Sequence, residues 1–177
     1  MTPQDWAIVG RRDYPDEWDA VRTWVSGFRR YLINGPGPRG LGLVLVGPPG
    51  VGKTMLGCAL ANYLQTKGFS IAFARDHDLM HLLRIKYPSD EETDLLGFLQ
   101  RVACLVVDDL GRTLEASEAI EPFLRYRQDE AKPTIVSMNN QVPLSATLYS
   151  FLHEYVYVTL AGEDRRTNPL AAGNARW

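Results

Sequence analysis

Lysine is scarce in this chain. Its 177 residues hold only four, Lys53, Lys67, Lys86 and Lys132, although lysine and arginine together number 19. The cations are therefore mostly arginines, whose planar fork suits phosphate and intersubunit contacts and suits a solvated surface equally well. With 21 acidic residues the net charge is -2. That excludes a chain that holds nucleic acid by bulk positive charge, so any such contact has to come from a local patch. Cysteine is scarcer still: Cys58 and Cys104 are the only two, among apolar neighbours and without a partner at metal-ligand spacing. Neither a disulfide framework nor a zinc motif fits, and both read as small core residues in a reducing compartment. No apolar run approaches the ~18 residues of a membrane helix. The opening stretch MTPQDWAIVGRRDYPDEW has no uninterrupted apolar segment of the kind a signal peptide needs. The expectation is a cytoplasmic protein with no membrane partner. Internal repeats and low-complexity segments are also missing.

What is present is ordinary for a globular domain: 45% apolar and 23% charged residues, enough for one substantial core. A breaker cluster, NGPGPRG (34–40), is the first boundary signal. Before it, Trp18, Val21, Trp24, Val25, Phe28 and Leu32 recur at three- and four-residue spacing. This predicts one amphipathic helix from about Asp16 to Ile33, closed by Asn34-Gly35. A lone helix cannot bury its own stripe, so residues 1–40 are expected to pack on the core formed by 41–177 rather than to stand as a separate module. After the breakers, LGLVLVG reads as a strand buried on both faces. Helix follows from Lys53 to about Lys67, then the strand FSIAFAR. DHDLMHLLRIKY is the next helix, with Asp76 or Asp78 as its cap, and DEETDLLGFLQRV another. ACLVVDD is the third strand. SEAIEPFLRYRQDEA is helical with Pro122 near its first turn or kinking it. PTIVSMNN, LSATLYSFLHE and YVYVTL close the pattern as strand, helix and strand, ahead of an irregular polar tail. Strands alternating with helices predict an α/β fold, a parallel sheet covered on both sides.

Three motifs carry chemistry. Gly47, Pro48, Pro49, Gly50, Val51, Gly52, Lys53 and Thr54 match G-x-x-x-x-G-K-[ST], leaving a buried strand and opening a helix as that motif requires. Its glycines let backbone N–H groups turn inward to cradle an anion at a helix N-terminus. Lys53 reaches β- and γ-phosphates, Thr54 offers its hydroxyl to Mg²⁺, and Met55 completes the nucleotide-binding set. The alternative, a glycine-rich turn that carries a lysine by chance, explains neither flank. The second motif is CLVVDDLG, a strand ending in two carboxylates. In the phosphoryl-transfer template Asp108 supports Mg²⁺ and Asp109 orients the attacking water, the alternative being an acidic surface turn. Third, PTIVSMNN ends in Asn139 and Asn140, either of which could set a neutral amide beside the γ-phosphate or be a turn residue.

Together these residues resemble the DnaC/IstB-like branch of the AAA+ ATPases, which contains replicative-helicase loaders and the ATPase subunits of some transposons. The matching stretches, from GLGLVLVGPPGVGKTMLGCALANYLQTKG through ACLVVDDLG and RYRQDEAKPTIVSMNN to LAGEDRR, run in order from about Gly40 to Arg166. The resemblance implies a P-loop NTPase (AAA+/ASCE) three-layer sandwich with a five-stranded parallel sheet of order 5-1-4-3-2. It implies Walker A at Gly47–Thr54, Walker B at Asp108-Asp109, sensor 1 at Asn139 and sensor 2 at Arg166 with Arg165 beside it. It further implies ATP and Mg²⁺ as cofactors, self-assembly into a ring, spiral or filament, and single-stranded or duplex DNA as a partner. A replicative helicase or a transposase would be the protein partner. The helices between strands two and three commonly touch DNA in that branch. Here that region holds Arg75, His77, His81, Arg84, Lys86 and Tyr87, which read equally well as a solvated face.

Two departures stand out. Loaders of this branch carry an extra N-terminal domain; with about 40 residues ahead of the loop here, that domain is expected to be absent or to lie on another chain. The branch also reads Ser-Arg-Leu before the last strand, where the arginine is the finger in trans; this chain reads Ser150-Phe151-Leu152. Arg112, Arg125 and Arg127 are the substitutes the sequence offers, the alternative being Arg165 or Arg166 from the same or a neighbouring subunit. The expected activity is an ATPase, weak when isolated, acting as a helicase-loader-like factor in DNA replication, with a transposition regulator or an ATP-gated scaffold as the alternatives. A small-molecule kinase fits less well, because such enzymes lack tandem strand-end acids followed by a strand-end Asn.

Overall fold

The computed structural model describes residues 15–34, 42–111 and 113–164. The first helix, α1 (Pro15–Asn34), buries the predicted stripe: Val21, Trp24 and Phe28 are each 1% exposed. Trp24 and Phe28 meet edge to face, and Phe28 meets Phe69 the same way, so the helix is anchored by aromatic contacts to the main body.

Five short strands form the sheet: β1 (Leu43–Val46), β2 (Ile71–Arg75), β3 (Cys104–Leu110), β4 (Thr134–Met138) and β5 (Val156–Thr159). All pair in parallel, in the order β2-β3-β4-β1-β5, which is the predicted 5-1-4-3-2 read from the other edge. The inner strands are apolar runs because each has a helical layer on both faces. On one face lie α1 and α2 (Lys53–Thr66), packed with Leu45, Cys104, Val106, Ile135 and Val158. On the other lie α3 (Asp76–Arg84), α5 (Leu114–Asp129) and α6 (Ala146–Leu152), packed with Val44, Leu105, Val107 and Val136. Leu99 of α4 (Asp90–Arg101) joins this second core, and a capping box between Ser89 and Glu92 fixes the start of that helix.

Four expectations need correction. Neither Asp76 nor Asp78 caps α3. The cap is Arg75, still in extended conformation at the end of β2, and no side-chain bond completes it. That helix also stops at Arg84 rather than reaching Tyr87, since Ile85 turns extended three residues ahead of Pro88. Helix α5 begins at Leu114, three residues before the predicted start, because the Thr113 hydroxyl accepts the Ala116 N–H and caps it. Pro122 therefore lies in mid-helix, on the exposed side, instead of the first turn. Finally, Cys58 is not a core residue. It sits on the solvent face of α2, whereas Cys104 is fully buried, with its thiol pushed up to about 12 by desolvation.

Candidate nucleotide site

The site lies at the carboxyl ends of β1, β3 and β4, where a parallel sheet opens a crevice between its strand ends and the following helices. β1 leads into the glycine-rich loop. Gly50 and Gly52 take φ of 79° and 101°, left-handed values that side chains disfavour and that this loop needs in order to turn its N–H groups inward. A Cβ on Gly47 would run into the Leu160 carbonyl oxygen, and one on Gly50 into the Asp164 carboxylate. The segment after β5 thus lies directly on the loop. Gly52 is the N-cap of α2, with no side-chain cap and no acid in the first turn. Those helix N–H groups and the positive end of the helix dipole are left to a ligand, the arrangement that binds anions.

Lys53 is 7% exposed and folds back over the loop. Its Nζ donates to the carbonyls of Gly47 (2.9 Å) and Pro48 (2.8 Å) and to Oδ1 of Asn139 (3.0 Å). Between the two asparagines at the end of β4, the structure brings Asn139 to the site and leaves Asn140 exposed. The Thr54 hydroxyl donates to both oxygens of Asp108, at 3.0 and 3.1 Å. Asp108 is 8% exposed and belongs to β3, while Asp109 beside it adopts φ 62°. Together these groups line a cleft of about 420 Å³, with Pro49, Gly50, Gly52, Met55 and Arg75 on its walls.

Thr54 and Asp108 offer adjacent hard oxygen donors, which suit Mg²⁺. Among the described residues no cluster of three His, Cys, Asp or Glu could hold a metal unaided. An ion held by one carboxylate and a hydroxyl takes its remaining ligands from substrate phosphates and water. Asp108 also acts on Cys58: partial burial first, and then this carboxylate, raise the thiol's pKa.

Sequence reading overlooked Ser137. Buried on β4, its hydroxyl donates to Asp108 Oδ1 and accepts the Asp109 N–H at 3.0 Å. The available signal was period-two spacing, which puts Ser137 on the same side of its strand as Asn139.

The remaining candidates are dispersed. Arg75 lines the nucleotide cleft, at the opposite end of α3 from Arg84, which makes a long contact of 3.9 Å with Glu115. Lys86 lies over the ring of Tyr87, which is 82% exposed. Arg127 is excluded as a finger by burial. Its guanidinium donates to the carbonyls of Leu99, Gln100, Val102 and Pro133 and to the Thr134 hydroxyl, at the far end of the sheet from the cleft. Phe151 is 1% exposed and points into the core, with Arg125 stacked 4.8 Å from its ring centroid and held at 2.8 Å by Glu121. Arg112, Arg165 and Arg166 lie outside the described residues.

The family described as IstB-like ATP binding protein matches residues 39–145. The chain belongs to this family. The fold is that of the P-loop AAA+ proteins, whose sheet order this chain shares. A similar curated relative is the ATP-binding protein of insertion sequence IS1162 from Pseudomonas fluorescens, 32% identical over 58% of this chain and 45% of its own length. Another is the replicative helicase loader DnaI of Bacillus subtilis, 30% identical over 57% of this chain and 34% of its own. The chain thus spans less than half the length of either. Among solved structures, the DnaC helicase loader matches with a TM-score of 0.57 and 25% identity, covering 76% of this chain and 86% of that one. No helix among the described residues is long and apolar enough to cross a membrane.

Proposed function

We propose that this IstB-like protein is an ATP-hydrolysing AAA+ factor that assembles on DNA and delivers a replicative helicase to it. The observation that carries the reading is the convergence of Lys53, Thr54, Asp108, Asp109 and Asn139 on one cleft at the end of a helix whose N–H groups are open to an anion. Lys53 exchanges the loop carbonyls for β- and γ-phosphate oxygens. Thr54 and Asp108 would hold Mg²⁺, which would supply neutralisation of the charge that develops on those oxygens. Asp109 accepts a hydrogen bond from the attacking water, and Asn139, already bonded to Lys53, positions the γ-phosphoryl group from the far side. Phe151, which stands where the related branch has its finger, is buried in the core, so turnover by the isolated chain is slow and a neighbouring copy completes the site. Arg112, Arg165 and Arg166 are the residues to test for that role. Arg84, Lys86 and Tyr87 are the DNA-facing set, combining charge with a stacking ring.

The helicase-loader role rests on the likeness to DnaI and on the two-sided overlap with the DnaC structure. A second reading, delivery of a transposase to target DNA, is favoured by the family match and the insertion-sequence relative. Phosphate release measured with and without single-stranded DNA, followed by pull-down with the host helicase and with a transposase, tests both. Release no faster than that of Lys53→Ala under every condition overturns the ATPase. Capture of the transposase and not the helicase selects the second reading.

A further inference from the structure

The two strands that carry the acids and the amide are not evenly paired. Val107 faces Val136 and Leu110 faces Met138, so β3 advances three residues where β4 advances two. One residue of β3 is extra, and the bulge falls on Asp108-Asp109, opposite Ser137. A bulge disrupts the ladder and turns side chains from their regular directions, so it needs a local partner to hold one geometry. Asp109 at φ 62° is the residue that takes the left-handed turn.

Ser137 supplies that partner. Its oxygen accepts the Asp109 N–H, which the bulge removes from regular pairing, and its proton goes to Asp108 Oδ1. One hydroxyl therefore fixes both neighbours at once: the backbone of the second acid and the carboxylate of the first. The same Asp108 oxygen also accepts from Thr54, at 3.0 Å. Ser137 is 2% exposed, within the lining of the cleft.

We infer that Ser137 is a positioning residue for the metal end of this site. It holds the Asp108 carboxylate turned toward Thr54, and by pinning the bulge it aims Asp109 into the cleft. The inference rests on the nucleotide reading above and adds to it a residue of the cleft lining that acts through Asp108 and Asp109. Partners that orient metal-ligating side chains change metal affinity by roughly 10–100-fold when removed.

The test measures the affinity of a fluorescent ATP analogue in Mg²⁺ and, separately, in EDTA. Four proteins are compared: the parent, Ser137→Ala, and the equal-shaped pair Ser137→Thr and Ser137→Val. Thr and Val both suit a strand and differ only in the hydroxyl. Expected is an EDTA affinity within about twofold of parent for all four, because loop and lysine are intact, with Mg²⁺-dependent tightening lost by roughly 10–100-fold in Ala and Val and restored in Thr. A purely structural role would instead lower both affinities together, and would overturn the inference, as would Val tracking Thr. If Ala fails to fold, the Thr and Val pair still decides. A parent that fails to bind the analogue in either buffer would remove the nucleotide reading itself, whereas a Mg²⁺-responsive parent matched by all three variants would remove only the role of Ser137.

Discussion

Single residues in this site are recognisable by how little freedom they keep. Lys53 spends three hydrogen bonds on the loop and on Asn139, so its charge is held at the anion site before any ligand arrives. Replacing it with alanine removes the cation and leaves the Asn139 amide and two loop carbonyls without their donor. ATP affinity of Lys53→Ala is expected to fall at least tenfold, on the scale of a lost charge-assisted hydrogen bond of roughly 1.5–3 kcal/mol. Equilibrium binding of labelled ATP measures it, and parental affinity would contradict the site. Asp109 presents a different constraint, because its φ of 62° is tolerated by Asp and Asn but not by β-branched residues. Asp109→Asn should therefore fold and bind ATP as the parent does, while turnover drops by about 10²-fold or more for want of a charged acceptor for the water. Single-turnover hydrolysis checks this, and parental turnover would move the role elsewhere.

At the scale of elements, Arg127 explains how helices and strands at the blunt end of the sheet are joined. It belongs to α5, yet its guanidinium closes the carboxyl end of α4 and ties it to the start of β4. Burial lowers its pKa to about 10, which leaves it a cation at neutral pH, satisfied by carbonyl dipoles in place of a counter-ion. Lysine cannot reproduce that fork. Arg127→Met is expected to cost at least about 3 kcal/mol, since each buried carbonyl left without its donor costs roughly 1–3 kcal/mol. In a domain of this size that lowers Tm by roughly 6–12 °C. Thermal unfolding followed by circular dichroism measures it, and an unchanged Tm would show that the bonds are replaceable.

The whole molecule brings a nucleotide cleft and a sparse basic surface together in one small body of net charge -2. The two cations of the proposed DNA-facing set, Arg84 and Lys86, make weak single contacts, so firm DNA binding would require several copies on one strand. The expected result is DNA binding that strengthens with ATP and protein concentration and falls steeply between 50 and 200 mM salt, roughly as each phosphate contact adds about 0.7 to the slope for single strands. Fluorescence anisotropy across a salt series, with sedimentation to read the size of the complex, tests this. A dilute monomer that holds DNA equally with and without ATP would overturn assembly as the source of affinity.

Much of this was legible in the chain itself, because local chemistry wrote it there. Apolar runs between helical stripes specified strands buried on both faces, and GPPGVGKT specified an anion loop by spacing alone. The direction of the two acids was not legible. It depends on a bulge between β3 and β4 and on the hydroxyl of Ser137, 28 residues along the chain from Asp109, and no local pattern encodes a cross-strand bond of that kind. The same holds for the arginines. On paper Arg125 and Arg127 were equivalent candidates two positions apart on one helix, but helical rotation turns one onto the Phe151 ring and buries the other under α4. Which cation faces solvent, which faces a carbonyl cage and which meets a ring is decided by packing around the helix, and packing exists only once the sheet has brought distant segments together.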